Sequence, residues 1–363
     1  MVEYSQGAEP LVLNGFTPQQ EKSVRETAGR LEVTTGTASV IDSGAAPWVA
    51  SARFEAAARK ELGDDLLILP PSGNWTVQAK DRPRRSRLYA PGNNPRFIEK
   101  AAAAGSDGII LDLEDSVAPD RKLEARILVA HALANTDFGD TEVMVRINQG
   151  YEATDDITWI VPQKVQHILI PKVEEAGEVA ALRDMIEKTM ELCGRDAFPW
   201  IMPIIESPRG ILNALSIADS VPEMAALTLG LQDLTAEMGV TPTNEGTESF
   251  TARSLIVLAA RAAGLQPIDT VYADVKDEEG LARSIAQAKT LGFVGKGCIH
   301  PSQVRAVEEG FMPTPAQIEE ARKVVSAMRE AEVNGLGAVA LGSKMIDPPV
   351  AKQAMAVLKL IGE

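Results

Sequence analysis

The sequence predicts an α/β fold: a TIM (β/α)8 barrel with a small α+β domain on its N-terminal side and a helical extension on its C-terminal side. Three observations carry the prediction. Eight times after residue 84, a short strand-like apolar run stops on charged or hydrogen-bonding side chains, and a helix-period stretch leads to the next. Those units fill about 220 residues, a length that suits a closed barrel. An open doubly wound sheet would need a G-x-G-x-x-G turn after its first strand, and Pro91-Gly92-Asn93-Asn94-Pro95 does not supply one.

The elements follow in order. Thr17-Pro18 opens a helix over 17–31, with Pro at the first helical position. A strand is expected at 37–41 and a second helix over 48–62, closed by Gly63. Residues 1–70 form the small domain. Pro70-Pro71-Ser72-Gly73-Asn74 then breaks regular structure, and 71–84 reads as a linker. The barrel spans 85–310, with strands at 85–92, 108–115, 142–148, 167–173, 200–207, 226–233, 270–275 and 295–301. Between the first two, Asn94-Pro95 provides an N-cap and a first-turn Pro, and Gly105 the stop. After Pro119, Leu123, Ile127 and Ala130 make an apolar stripe at helical spacing. In the extension, 311–363, Thr314-Pro315 starts a capped helix to about Val333, and Asp347-Pro348 starts a final one. That tail is too small for a core of its own and is expected to pack on the barrel or on a neighbouring subunit.

Composition narrows the function. The chain has 363 residues and a formal net charge of −15, which argues against nucleic acid or an anionic membrane as the main partner. Only two cysteines are present, Cys193 and Cys298, without metal or redox spacing. No stretch approaches membrane-spanning length and the N-terminus lacks a leader pattern, so a cytoplasmic protein is expected. One basic run, Lys80-Asp81-Arg82-Pro83-Arg84-Arg85-Ser86-Arg87, stands out in an acidic chain. It is expected either to dock a polyanion or to be a solvated linker.

In a TIM barrel the active site lies at the C-terminal ends of the strands. Those ends carry Asp112, Glu114 and Asp115, then Arg146 with Asn148, Lys172 with Glu174, Glu206, Asp233, Asp274 and His300. An unpaired carboxylate in a core is costly, so such residues mark a rim open to water, metal or substrate. Glu206 and Asp233 end adjacent strands, and two oxygen ligands with open positions suit Mg²⁺. Helix capping explains each of them equally well by spacing alone. Arg146 is a candidate for binding a carboxylate or a developing enolate oxygen, against the commoner role of a structural salt bridge. His300, before Pro301, reads as a hydrogen-bonding support. Lys122 and Arg126, four apart, read as a solvated helix face.

Seven ordered motifs carry a resemblance: Arg85-Ser86-Arg87-Leu88-Tyr89-Ala90-Pro91-Gly92; Asp112-Leu113-Glu114-Asp115-Ser116-Val117-Ala118-Pro119 with Lys122 and Ala125-Arg126; Val145-Arg146-Ile147-Asn148; Ile170-Pro171-Lys172-Val173-Glu174; Ile205-Glu206-Ser207; Gly230-Leu231-Gln232-Asp233-Leu234; and Ile299-His300-Pro301-Ser302-Gln303. Together they resemble the citrate lyase beta subunit family, which includes malyl-CoA and citramalyl-CoA lyases within the HpcH/HpaI aldolase superfamily. The likeness covers nearly all of 85–363.

It implies a Mg²⁺-dependent enzyme that cleaves or forms a carbon–carbon bond in a 3-hydroxyacyl-CoA thioester such as citryl-, malyl- or citramalyl-CoA. By resemblance Glu206 and Asp233 are the Mg²⁺ ligands, Glu114 and Asp115 hold metal-bound waters, and Arg146 binds substrate and stabilises the enolate. Arg85 and Glu206 join Arg146 as substrate-binding candidates. Lys344-Met345-Ile346-Asp347 resembles the C-terminal Met-Ile-Asp of CoA-thioester lyases, whose Asp enters a neighbouring subunit as acid/base. That implies catalysis by Asp347 and a homo-oligomer, trimer or hexamer, with shared sites. As the residue before Pro348, Asp347 is also a good N-cap. The segment around 42–57 resembles the small acyl-carrier subunits of citrate lyase and malonate decarboxylase, but without the upstream pattern around their modified serine, so no covalent arm is expected. Two other classes remain open: an aldolase on free oxo or hydroxy acids, and a subunit active only within a citrate-lyase-like complex.

Overall fold

A computed structural model describes residues 71–363 apart from 74 and 244, together with Trp48, Val49, Ala52 and Ala56. The expected elements at 17–31 and 37–41 lie outside the described residues, as does most of the helix expected at 48–62. The four residues described there are helical. Trp48, Val49 and Ala52 are buried in the same apolar cluster as the barrel, and Ala56 packs against it.

Eight parallel strands close into a barrel: β1 (Ser86–Pro91), β2 (Gly108–Asp112), β3 (Glu142–Arg146), β4 (His167–Ile170), β5 (Trp200–Ile205), β6 (Ala226–Leu229), β7 (Gln266–Asp269) and β8 (Gly295–Cys298). Closure comes from β8 pairing with β1, with Arg87 opposite Gly297. The crossover helices are α1 (Pro95–Ala102), α2 (Lys122–Asn135), α3 (Tyr151–Ile160), α4 (Ala176–Cys193), α5 (Pro208–Leu212), α6 (Ala214–Ala218), α7 (Leu231–Met238), α8 (Phe250–Ala262), α9 (Glu278–Leu291) and α10 (Pro301–Phe311).

Strand alternation sorts the side chains into two layers. Leu88, Ile109, Leu111, Val143 and Val145 face the helices. Ile110, Met144, Leu169, Met202 and Ile268 fill the barrel's inside with Tyr89 packed against them. β6 ends at Leu229, so Asp233 belongs to the first turn of α7 and not to β6.

The seventh strand lies four residues earlier than the sequence predicts. Pro267 has no N–H to give, yet its carbonyl accepts the Val294 N–H at 3.0 Å and it pairs with Leu227, so Gln266–Asp269 closes the sheet. The β-branched run after it is loop. Asp274 is exposed there, and its carboxylate accepts the Lys276 N–H of its own turn.

The linker packs against the N-terminal mouth of the barrel. Trp200 donates its indole N–H to Gln78 at 2.8 Å, and Trp75 donates to Pro162 at 3.1 Å. Arg84 is fully buried there, bonded through Nε to Glu142 at 2.6 Å and through Nη2 at 2.9 Å. Glu142 also meets His167 Nε2 at 2.8 Å. Burial alone would raise Glu142, but His167 and Arg84 overcome it and hold the carboxyl at about 2. Burial in turn depresses His167.

The extension differs from the expectation of a dependent tail. Helices α11 (Pro315–Val333) and α12 (Pro348–Lys359) flank a small hairpin of β9 (Val339–Leu341) and β10 (Lys344–Ile346). They bury Ala321, Val324, Val325, Met328, Ile346, Ala351, Ala354 and Leu358 as an apolar cluster separate from the barrel's. The two helices supply long enough apolar stripes to meet each other, which the sequence estimate undervalued. Thr314 and Gln317 form a capping box at the start of α11.

Candidate active site

A cavity of ≈ 340 Å³ opens at the C-terminal ends of the strands, lined by Tyr89, Arg146, Glu206, Gly230 and Asp233 among others. A larger cleft, ≈ 520 Å³, lies outside the barrel among α9, α10 and the start of α11. Its one charged residue, Lys289, is tied to the Gly310 and Met312 carbonyls at 3.1 and 2.6 Å, so it offers no comparable chemistry.

Arg146 ends β3 opposite Asp112, which ends β2. Register therefore sets up their pairing: Nε meets Asp112 Oδ1 at 2.6 Å and Nη2 meets Oδ2 at 2.7 Å. Nη1 lies 2.9 Å from Glu114 Oε2, and the guanidinium stacks 5.3 Å from the Tyr89 ring centroid. Burial works against the charge, but Asp112 more than offsets it and holds Arg146 above its ordinary value. Asp112 is lowered in return: burial raises it, and the Arg146 hydrogen bonds and charge prevail. Its oxygens also accept the Glu114 and Ser116 N–H groups, at 3.0 and 3.1 Å, shaping the turn that carries Glu114 and Asp115.

Glu206 follows β5 and is 4 % exposed. Its Oε1 accepts the Lys172 N–H at 2.8 Å. Burial, with a further push from the neighbouring Asp233 carboxylate, raises the Glu206 carboxyl to about 8. Gly230 makes that proximity possible, since a Cβ there would sit 2.3 Å from Glu206 Oε2. Asp233, half-buried in the first turn of α7, completes the pair.

Lys172 bridges the two halves of the rim. Its Nζ reaches Glu114 at 2.9 Å and lies 3.6 Å from Asp115. Burial disfavours the ammonium, yet Glu114 and Asp115 keep Lys172 above its usual range. Among the described residues it is the non-glycine with positive φ, at 52°.

Region 85–301 matches the HpcH/HpaI aldolase/citrate lyase family. The chain belongs to that family. It is 37 % identical over 284 residues to the citrate lyase subunit beta of Leuconostoc mesenteroides subsp. cremoris, covering 77 % of this chain and 94 % of the relative. It is 35 % identical over 292 residues to the mitochondrial citramalyl-CoA lyase of Mus musculus, covering 77 % and 86 %. The crystal structure of CitE from Mycobacterium tuberculosis in complex with magnesium, acetoacetate and coenzyme A superposes with a TM-score of 0.65 at 31 % identity, covering 78 % of this chain and 99 % of that one. As a family member this chain is a carbon–carbon lyase on a TIM barrel.

The lyase barrel brings Arg146, Glu114, Asp115, Glu206 and Asp233 to one mouth. Arg85 is not with them. It precedes β1 at the opposite mouth, where Nε and Nη2 bind Asp107 at 2.8 and 2.7 Å. The rest of the basic run also departs from the docking expectation, because Arg84 is sealed by Glu142 and Arg82 donates to the Asp140 carbonyl. The part of the run before β1 sits at the N-terminal mouth, away from the chemistry, whereas Arg87 lies within β1 and lines the cavity. Asp347 accepts the Val350 N–H at 3.2 Å as N-cap of α12 and is not among the residues lining the cavity of its own chain. His300 caps α10 through the Ser302 N–H at 3.2 Å, as expected of a support.

Lys122 and Arg126 are not a solvated face. Lys122 Nζ donates to the Leu113 and Glu114 carbonyls at 2.8 and 2.7 Å. Arg126 is buried on Asp156 at 2.8 Å, and Asp156 accepts from Asn148. Both anchor rim loops, because this face of α2 turns toward the strand ends. Lys172 was placed at the rim by the sequence without a role, and Arg87, which lines the cavity, was overlooked. Arg87 shares its strand face with Tyr89, two residues on, and that alternation was the available signal.

Proposed function

We propose that the chain is a Mg²⁺-dependent lyase that splits a 3-hydroxyacyl-CoA thioester of the citryl, malyl or citramalyl type into an acyl-CoA and a 2-oxo acid. One observation carries the reading: the Glu206–Asp233 pair and the Arg146 guanidinium line a single cavity at the catalytic end of the barrel. The pair fits the metal. Two carboxylates held side by side by Gly230 are hard oxygen donors, and burial and mutual repulsion make them need a cation. Among the described residues, no group of three or more His, Cys, Asp or Glu is placed to hold a metal ion, so water and substrate oxygens would complete the shell, as Mg²⁺ prefers. When bound, Mg²⁺ would supply Lewis-acid polarisation of the substrate's hydroxyl and carboxylate oxygens. The CitE complex with magnesium, acetoacetate and coenzyme A supports both ligand classes.

The chain's own residues do the rest. Asp112 takes two N–H groups of Arg146 and Glu114 a third. A guanidinium has five; the second on Nη1 has Asp115 3.5 Å away, and the outer one on Nη2 is left to meet the thioester oxygen. As the bond breaks, its electron pair passes to the acyl carbon and charge grows on that oxygen. A donor fixed in advance stabilises it without reorganisation. Glu114 and Asp115, braced by Lys172 and Lys122, would hold water at the rim. The hydroxyl loses a proton and the acyl carbon gains one; we assign delivery to that carbon to Asp347 of a neighbouring subunit in a homo-oligomer.

Incubation of the purified chain with citryl-, malyl- and citramalyl-CoA and Mg²⁺ tests the reading. Chelator-sensitive release of acyl-CoA from at least one is expected. Turnover of free hydroxy acids alone would make it an aldolase, and activity only with added partner chains would make it a complex-dependent subunit.

A further inference from the structure

Arg87 has no task in the chemistry above, and its surroundings are unlike those of the other buried arginines. It is fully buried on the inner face of β1 and lines the same cavity. Nη1 donates to Thr228 Oγ1 at 2.9 Å and contacts Met202 Sδ at 2.8 Å, but Nε and Nη2 are buried with no hydrogen-bond partner. Arg84, Arg126, Arg146 and Arg253 each hold a carboxylate, and Arg195 is satisfied by four backbone carbonyls. Asp269 also lines the cavity, yet its oxygens are taken by Arg253 and Lys296. A buried charge without a counter-ion is costly. Burial accordingly pushes Arg87 down to about 10.

We infer that Arg87, with Thr228, is the receptor for a second carboxylate at the inner end of the cavity. The anion would be carried on the side chain of the oxo-acid half, so the preferred substrate is a thioester whose oxo-acid product is a dicarboxylate. This rests on the lyase reading above: the metal pair takes one carboxylate, Arg146 the thioester oxygen, and Arg87 what remains. A carboxymethyl group supplies the missing acceptor, whereas a methyl group or hydrogen leaves Nε and Nη2 orphaned. Sites built this way reject the analogue lacking the polar group far more strongly than apolar pockets reject a methylene.

Two measurements on the full chain with Mg²⁺ test it. In calorimetric titrations, oxaloacetate should bind wild type at least about tenfold more tightly than pyruvate or glyoxylate, the ordinary worth of a charge-assisted hydrogen bond. In initial-rate assays, Arg87→Met should lower kcat/KM for citryl-CoA about 10- to 100-fold more than for citramalyl-CoA, mainly through KM. Equal affinity of wild type for the three oxo acids overturns the inference, whether or not the variant folds. So does an equal loss on both thioesters. Cleavage of thioesters without oxo-acid discrimination would sink Arg87 and leave the lyase; discrimination abolished by Arg87→Met without any cleavage would do the reverse.

Discussion

Lys172 pays for its position with a backbone conformation that side chains other than glycine avoid, at about 1–2 kcal/mol. From there one residue braces two carboxylates, giving its N–H to Glu206 and its ammonium to Glu114. Strain of this kind persists where the surroundings over-determine it. Glu206 itself is the residue on which the metal hypothesis turns. Glu206→Gln keeps the shape and the Lys172 hydrogen bond but removes a hard anionic ligand. The lost stabilisation is several kcal/mol, so kcat should fall about a thousandfold. Thermal unfolding without metal should not be lowered, because burial already disfavours the charged carboxylate. A variant with wild-type turnover at saturating Mg²⁺ would remove Glu206 from the metal site. Asp112, Glu114, Arg146, Glu206 and Asp233 were legible because carboxylates and a guanidinium after apolar runs have few other places to go. Arg87 was passed over although alternation with Tyr89 turns it inward, and the bracing role of Lys172 was hidden because a positive φ leaves no mark in composition.

At the level of elements, register and close approach set the site. Gly230 joins β6 to α7 and lets the two carboxylates meet. Gly230→Ala must displace Glu206, costing about 1–3 kcal/mol of stability; a calorimetric Mg²⁺ titration should show affinity lost while the barrel still folds. At the other mouth, Arg84, Glu142 and His167 tie the linker to β3 and β4. The Glu142 carboxyl is depressed from 4.5 to about 2, so its contribution is full above its unfolded value and is lost as pH falls from there through about 2. His167, depressed from 6.5 by burial, loses stability in the same direction, beginning nearer 6.5. Glu142→Gln strands a buried guanidinium and should cost about 3–5 kcal/mol at neutral pH. Its urea midpoints should then vary less with pH below about 4.5 than those of wild type. Parallel curves would show that the carboxylate does not carry the acid sensitivity. Element order and helix caps could be read from periodicity and punctuation. The seventh strand could not, since Pro267 contributes to the sheet only through its carbonyl and the longer β-branched run beside it fits a strand better.

Among the described residues, three apolar clusters divide the labour: one lies between the strands and the helices, one fills the barrel's inside, and the third holds α11, α12 and the hairpin that precedes Asp347. If Asp347 serves a neighbour's cavity, then Asp347→Asn and Arg146→Ala chains, each inactive, should regain activity when mixed under subunit exchange. Mixed oligomers that form and stay dead would confine the site to one chain. The extension's separate cluster escaped the sequence reading because its buried residues come from segments that look amphipathic only once they face each other.

The buried Arg84–Glu142–His167 cluster has a kinetic meaning as well. With the far mouth plugged, the barrel is a blind pocket, and whatever goes in first comes out last. On the proposed reading the small oxo acid would sit innermost with the bulky acyl-CoA across the opening, so departure would be ordered, acyl-CoA before oxo acid. Product-inhibition patterns report that order directly: the oxo acid should compete with the thioester substrate, and the acyl-CoA should inhibit noncompetitively. The reverse pattern would mean that the pocket has a second way out.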